Sequence, residues 1–276
     1  MKWGAHKVDG RLAAKNAVKI RAALRQSVDA EAIYNQYLET HPVASKNRTL
    51  DRTKARSWAI LNVRFNNEAT LKILERVWAE GYLLGVDSAL DAVKRAEELK
   101  KSAFTDWSNW KPGNRVTALL VRPIGSLKKI LDNAHITIKG LDTTGYDRIG
   151  TALADSFDLG LSPSKAAKLI LDEISDPARA LTIAITEGSR AMNMASMDTY
   201  QNIGLEEVEW FAADPCPECE VNDGQVVPVG QEFFSGDTEP PVHPNCRCAL
   251  LPVIPDSLTS DTEFNDLMPS LSGFEE

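Results

Sequence analysis

The sequence predicts a mainly α-helical protein of the α+β class, with an elongated helical region in the first two thirds and a small β module after it. Up to about residue 204, apolar residues recur three and four positions apart, which is the spacing of amphipathic helices. Beyond that point, apolar residues alternate with acids in short runs separated by Pro, Gly and Asp, which is typical of short strands. All four cysteines lie in this last part of the chain.

Two helices are expected near the N-terminus. Apolar positions run through a Lys/Arg-rich segment that is predicted to end near Ser27. Asp29 is then placed to cap a short second helix, which has to end before Pro42. Residues 43–50 are polar and are predicted to form a linker.

No proline interrupts the stretch from Asp51 to Lys101, and its apolar spacing predicts one long amphipathic helix or two helices that meet at Gly81 or Gly85. An irregular corner rich in aromatic residues is expected after it. A short strand is predicted at residues 136–138, where two isoleucines flank a threonine. The residues that define the corner are Trp107, Trp110, Pro112 and Gly113.

Helix signals become clear from residue 146 onward. Gly160 is expected to end the helix 146–159 in a left-handed conformation. Ser162-Pro163 and Asp176-Pro177 each supply a cap and a first helical residue for the next helix. The last of these helices is predicted to run to about Gln201, where Gly204 closes it. It carries a narrow stripe where another helix can approach closely, at Leu181, Ala184, Gly188, Ala191 and Ala195.

These patterns predict five segments along the chain. They are a basic helical segment (1–45), a long-helix region with the Trp-rich corner (46–145), a further helical part (146–205), the β module (206–254) and an acidic tail (255–276). The tail has few apolar anchors, so it is expected to be disordered or ordered by a partner.

Charge is distributed very unevenly along the chain, although the net charge is only −8. Residues 1–64 carry thirteen Lys/Arg against five Asp/Glu, whereas residues 206–276 carry Arg247 alone against sixteen acids. The basic end is either a solvated helix face or a contact surface for DNA or an acidic protein, because phosphate contacts require only positive charge. The candidate contact residues are Lys15, Lys19, Arg21, Arg25, Arg52, Lys54 and Arg56.

The cysteines form two close pairs, Cys216 with Cys219 and Cys246 with Cys248, and His243 stands three residues before Cys246. A C-x-x-C pair turns two sulfurs toward one point, and a second pair returned by a strand–turn–strand completes a tetrahedron suited to zinc. The preferred ligands of this structural zinc are Cys216, Cys219, His243 and Cys246, because H-x-x-C mirrors C-x-x-C. Cys248 is the alternative ligand.

Three other states of these cysteines are possible in principle. The sequence has no apolar stretch long enough for a membrane span and no signal peptide, so folding is expected in a reducing cytosol, where disulfides are rare. A redox pair would follow a strand and open a helix, whereas this C-x-x-C follows Asp214-Pro215 in a loop. Free thiols leave the clustering unexplained. Zinc is therefore the favoured interpretation, since metal would supply stability that a small acidic module lacks.

An ordered set of motifs runs from Leu181 to Pro252. This set resembles the phage Mu F-like minor head proteins, a family of head-morphogenesis proteins of tailed bacteriophages. The motifs are Thr186-Glu187, Arg190-Ala191-Met192-Asn193, Trp210, Asp214, the C-x-x-C pair, Asp223-Gly224, Phe233, Pro240-Pro241 and the ending His243-Pro244-Asn245-Cys246-Arg247-Cys248. The segment 107–114 and the helix junction at 160–163 look like a subgroup found in siphophages of actinobacteria, so the resemblance covers roughly residues 10–255.

The resemblance implies a structural minor head protein inside the capsid, assembled in the host cytoplasm and then part of the virion. It implies association with the portal protein and other head-interior proteins, and a role in head morphogenesis or genome packaging, with packaged DNA reached by the basic N-terminus and no membrane involved. Two alternatives are a zinc-containing DNA-binding protein packaged with the genome and an ejected effector. The single arginine after residue 205 and the short tail argue against these two.

No enzymatic activity is expected. The sequence has no G-x-x-x-x-G-K-[ST] loop, no H-E-x-x-H and no G-x-S-x-G. Thr186 and Glu187 lie in mid-helix, where a hydrogen-bonded structural role is favoured over acid–base chemistry. The resemblance also favours an assembly contact, rather than simple core packing, for the large aromatic residues Trp58, Trp78, Trp107 and Trp110.

Overall fold

The computed structural model describes residues 10–41, 52–101, 134–212 and 217–254. Helices dominate these ranges and three short strands lie near their end, which confirms the predicted α+β class. The helices are α1 (Gly10–Gln26), α2 (Ala30–Thr40), α3 (Arg52–Asn62), α4 (Glu68–Lys101), α5 (Ala134–Asp158), α6 (Pro163–Ile174), α7 (Pro177–Asn202) and the short α8 (Pro217–Glu220). The strands are β1 (Glu207–Phe211), β2 (Val226–Pro228) and β3 (Ala249–Val253).

Two compact units interleave along the chain. The first, here called the helical unit, comprises the described residues of 14–76 and 131–184. The second, here called the mixed unit, comprises the described residues of 1–13, 77–130 and 185–276 and contains all three strands. The five segments expected from the sequence stay a prediction.

Local capping signals set several helix ends as predicted. The carboxylate of Asp29 accepts the N–H of Ala32 and caps α2. Gly160 follows α5 with φ +61°, and Gly204 follows α7 with φ +75°. Proline stands at the first position of both α6 and α7.

The interruption in the long helical stretch lies at residues 63–67, so the prediction of a break at Gly81 or Gly85 is wrong. Asn66 helps to start α4, because its Oδ1 accepts the N–H of Glu68 while its own N–H donates to Ser27 O at 2.7 Å. The predicted strand at 136–138 is also wrong, since these residues belong to α5. The linker 43–50 and the corner at 107–113 lie outside the described residues.

Close helix packing explains the two glycines inside α4. A Cβ on Gly85 would lie 2.4 Å from the carbonyl oxygen of Met192 and 2.7 Å from the Cβ of Ala195. A Cβ on Gly81 would lie 3.0 Å from the Cβ of Ala191. The small-residue stripe on α7 therefore meets a matching pair of glycines on α4, as the sequence predicted for one side of the contact.

The three strands form an antiparallel sheet in the order β2-β1-β3. The indole of Trp210 on β1 is fully buried and meets Phe233 edge-on, with the ring centroids 4.9 Å apart. Val93 of α4 and Tyr200 of α7 belong to the same apolar cluster. The β module therefore shares its core with two helices of the mixed unit.

Trp58 and Trp78 are core residues, which corrects the expectation that they form an assembly contact. Trp58 is 8% exposed and packs edge-on against Tyr37 in the helical unit, while Trp78 is 1% exposed in the mixed unit. Both lie on the inward faces of their helices, so their apolar area is already covered. Trp107 and Trp110 lie outside the described residues.

Candidate metal centre

The short helix α8 presents Cys219, whose side chain is 1% exposed. The turn after α8 is held to β1 by two hydrogen bonds. The carboxylate of Asp223 accepts the N–H of Ala212 at 2.8 Å, and the N–H of Gly224 donates to Trp210 O at 2.9 Å. Gly224 has φ +75°, a conformation that favours glycine. The Asp223-Gly224 motif thus fixes where the Cys219 thiol points.

The second part of the centre is the turn from His243 to Cys246. The N–H of Cys246 donates to His243 O at 3.2 Å, and Asn245 between them has φ +62°. Asparagine tolerates this left-handed conformation better than most residues. The Nδ1 of His243 lies 2.8 Å from Pro244 O, and a proton on Nδ1 would donate to this carbonyl and turn the Nε2 lone pair toward the other two side chains.

These two parts bring three ligand atoms together. The Sγ of Cys219 lies 3.0 Å from the Nε2 of His243 and 3.8 Å from the Sγ of Cys246, and all three atoms lie within 4.8 Å of one another. At a tetrahedral zinc, bonds of about 2.3 Å to sulfur and about 2.1 Å to nitrogen separate two sulfurs by about 3.8 Å and sulfur from nitrogen by about 3.5 Å. The sulfur spacing fits zinc directly, and the imidazole has to move by about half an ångström.

Protonation of the thiols also suits a cation. Hydrogen bonding from the Cys248 thiol, aided by a bond from Cys219, lowers the pKa of Cys246 to about 5, although burial opposes this shift. The same pairing with Cys246, together with burial, raises the pKa of Cys248. Hydrogen bonding within the cluster thus favours the thiolate form of Cys246, which is the form that binds zinc.

Two candidate ligands stand apart from this trio. Cys216 lies outside the described residues, so its approach to the centre stays a prediction. Cys248 is 4% exposed and, like Cys219 and Cys246, is not part of a disulfide. It lies outside the group of atoms within 4.8 Å, yet it is hydrogen-bonded to Cys246. Cys216 therefore stays the cysteine proposed to complete the trio, and Cys248 stays the alternative to His243.

Polar side chains on α7 contact the chain that carries the ligands, which the sequence did not predict. The Oγ1 of Thr186 accepts the N–H of Asn245 at 3.0 Å. The amide of Asn193 donates to Cys248 O at 3.1 Å and accepts the N–H of Leu250 at 3.2 Å. The one available signal was that the first and last members of the Thr186-to-Asn193 motif stand seven residues apart, on one face of a helix.

Glu187 has a structural role, as predicted. Its side chain is buried and its Oε2 accepts the indole N–H of Trp78 at 2.8 Å, with the Nε of Arg190 3.6 Å away. The carboxylate is thus held by a helix-to-helix hydrogen bond and a cation. Thr186 and Glu187 contact different partners, Asn245 and Trp78.

The basic candidate residues divide into two groups. Within the helical unit, Arg25 pairs with Asp172, Arg52 with Asp155 and Arg56 with Asp147, and the Nε of Arg21 donates to Ser175 O at 2.9 Å. These four arginines hold α1 and α3 to α5 and α6. The lysines of the set, Lys15, Lys19 and Lys54, are exposed or half-exposed. Whether any of the seven binds DNA or a partner stays a prediction.

Residues 147–251 match the family model described as Phage Mu protein F like protein. The match is shorter than half of the chain. It runs from within α5 to within β3 and includes Cys219, His243 and Cys246 as well as the polar face of α7. The match therefore agrees with the Mu F-like resemblance of the sequence, although the actinobacterial subgroup has no support from it.

Two further comparisons and the hydropathy of the helices complete this description. Neither a curated protein nor a solved structure matches the chain. Among the described helices, none combines the length and apolarity needed to cross a bilayer.

Proposed function

We propose that the protein is a structural minor head protein of a tailed bacteriophage, located inside the capsid and associated with the portal, where it acts in head morphogenesis and genome packaging. The observation that carries the proposal is the match of residues 147–251 to the Phage Mu protein F like family, a family of structural phage head proteins. The matched part contains three clustered side chains that could hold a metal ion, and a helix that is hydrogen-bonded to the turn between two of them.

The chemistry of the described residues supports a structural role. Buried polar groups such as Glu187 and Asn193 are engaged in hydrogen bonds between elements. A site with four protein ligands would leave no open position for a catalytic water, which is typical of structural zinc. Partner contacts are proposed for the exposed lysines, because three arginines of the basic set already form ion pairs.

The head assignment predicts that the protein is present in purified virions and binds the cognate portal protein. Mass spectrometry of virions after protease and nuclease treatment should detect the chain at low copy number, since an interior protein is protected by the shell. Co-expression with portal should give a complex whose affinity falls as salt rises if the exposed lysines contribute. Replacing Lys15, Lys19 and Lys54 with Ala should weaken it, whereas Lys72→Ala serves as the matched control because Lys72 is paired with Glu68 on its own helix.

Two results would contradict the head assignment. One is absence of the chain from virions. The other is no portal binding at any ionic strength by the folded protein. Binding to DNA alone, lost with the same lysine changes, would favour the alternative of a DNA-binding protein packaged with the genome.

We also propose one structural zinc, held by Cys216, Cys219, His243 and Cys246. The donor set of thiolate sulfur and neutral imidazole is the one that structural zinc prefers, and the sulfur spacing of 3.8 Å agrees with a tetrahedral centre. Zinc would tie α8 to the turn after residue 242.

Separate substitutions of His243 and Cys248 can decide which of these two residues is the fourth ligand. With His243 as a ligand, His243→Ala should lose most of the zinc measured by elemental analysis, because one of four bonds is removed. Cys248→Ser should keep close to one equivalent. The reverse pattern would assign the site to four cysteines.

A further inference from the structure

We infer that α7 positions the metal ligands through two side chains, Thr186 and Asn193, here called the polar latch. The latch holds the ligand turn 243–248 in its binding conformation before metal arrives. This inference rests on the proposed zinc site and adds to it two positioning residues that do not touch the metal.

Thr186 fixes the turn between the two ligands. Its Oγ1 accepts the N–H of Asn245, which stands between His243 and Cys246 and has φ +62°. Few side chains tolerate this backbone conformation, so a bond that holds it reduces the conformations open to the turn. The bond joins residues 59 positions apart in sequence. It therefore ties the ligand turn to the body of the mixed unit.

Asn193 fixes the chain immediately after the ligands. Its side chain is 4% exposed and makes two hydrogen bonds with the chain that follows the ligands, donating to Cys248 O and accepting from Leu250 N–H; it also donates to Ser189 O on its own helix. An amide side chain that gives and receives in this way replaces a neighbouring strand at one edge of β3. Its other edge pairs with β1. The register of β3, and with it the place of Cys246 two residues before Cys248, is thus set from both sides.

The two contacts act together because of their spacing on α7. Residues seven apart lie on one helix face and are separated by about 10 Å along the axis. Because α7 is a continuous helix, it holds the ligand turn and the start of β3 at a fixed spacing. Tyr200 lies a further seven residues along α7, and its hydroxyl donates a hydrogen bond to Leu250 O at 3.2 Å.

Hydrogen-bond partners that orient metal ligands commonly change metal affinity by about 10–100-fold when removed. We therefore expect loss of the latch to lower the zinc affinity, because hydrogen bonds that restrict the ligand turn reduce the entropy lost when the metal binds. Thr186→Val should weaken zinc about tenfold, since valine keeps the shape of threonine and lacks the acceptor. Asn193→Ala, which removes both bonds to the chain that follows the ligands, should weaken it more.

The measurement is zinc affinity of the full chain, by competition with a chromophoric chelator, together with the thiolate-to-metal absorption of the cobalt(II) form. Thr186→Ser should restore wild-type affinity, because serine keeps the hydroxyl. Thr199→Val is the matched control. Thr199 is a fully buried threonine of the same helix, but its hydroxyl donates to Ala195 O and does not reach the ligand turn. That control should lose stability and keep both zinc affinity and the cobalt spectrum.

Equal zinc affinity in wild type, Thr186→Val and Thr199→Val would overturn the latch while leaving the zinc site intact. A wild-type protein that binds neither zinc nor cobalt would overturn the latch together with the zinc site. Neither result bears on the presence of the protein in virions, so failure of the head assignment is distinguishable from both.

Discussion

Removing the metal should loosen the ligand loops and leave the sheet and the helices folded. The purified protein is expected to contain about one equivalent of zinc, and a strong chelator should lower its thermal midpoint. Metal binding in isolated zinc fingers is worth roughly 10–16 kcal/mol and drives the whole fold. Here Trp210 and Leu250 share a core with α4 and α7, so only part of that energy is needed to fold the module.

Hydrogen exchange can show which amides lose protection after the metal is chelated. Amides of α8 and of its following turn should exchange rapidly, because Cys219 would lose its tie to the ligand turn. The Leu250 amide should remain protected, since it donates to Asn193. Cys219→Ser should reproduce the effect without chelator, and chelator should then add nothing. Zinc-free native protein with all of its thiols open to titration would contradict the proposed site.

The parts of the fold that the sequence predicted well are those specified by neighbours in the chain. Asp29 caps α2 with its own backbone neighbour, and Pro163 and Pro177 fix the starts of two helices by their ring geometry. Gly160 takes up the left-handed conformation that ends a helix. Such signals act over three or four residues, so they can be read without knowing the tertiary structure.

The misplaced helix break shows the limit of those signals. Residues 63–67 contain no glycine or proline, and the break depends partly on a bond from Asn66 N–H to Ser27, 39 positions away. Gly81 and Gly85 look like helix breakers in isolation. Both are required instead by the approach of α7, which no pattern within α4 reveals.

In the candidate metal centre too, local sequence signals were readable and tertiary contacts were not. Cysteine and histidine spacing predicted that Cys219, His243 and Cys246 come together as candidate ligands, and their ligand atoms do lie within 4.8 Å of one another. The contacts of Thr186 and Asn193 could not be predicted, since hydrogen bonds across 55 to 59 residues depend on the packing of α7 against the sheet.

Filling the crossing of α4 and α7 at Gly85 should destabilise the mixed unit. In Gly85→Ala the new methyl would lie 2.4 Å from the Met192 carbonyl oxygen and 2.7 Å from Met192 Cα. Backbone atoms cannot rotate away, so α4 and α7 have to separate along the stripe that they share. Overpacking of this kind costs about 1–3 kcal/mol, and it opposes a gain of about 1 kcal/mol in helix propensity. We expect a net destabilisation of about 1–2 kcal/mol, because the contact with backbone atoms places the cost in the upper part of its range, and a larger loss for Gly85→Val.

Two alanine variants calibrate this prediction in chemical denaturation. Gly140 lies inside α5, and a methyl group added there would meet nothing within 4 Å, so Gly140→Ala should stabilise by about 0.5–1 kcal/mol. Gly81→Ala should fall between the two, because its nearest atoms lie 3.0 and 3.1 Å away. The free energy of unfolding should therefore decrease from Gly140→Ala through wild type and Gly81→Ala to Gly85→Ala. A Gly85→Ala protein as stable as Gly140→Ala would show that the crossing is looser than the close approach of Met192 requires.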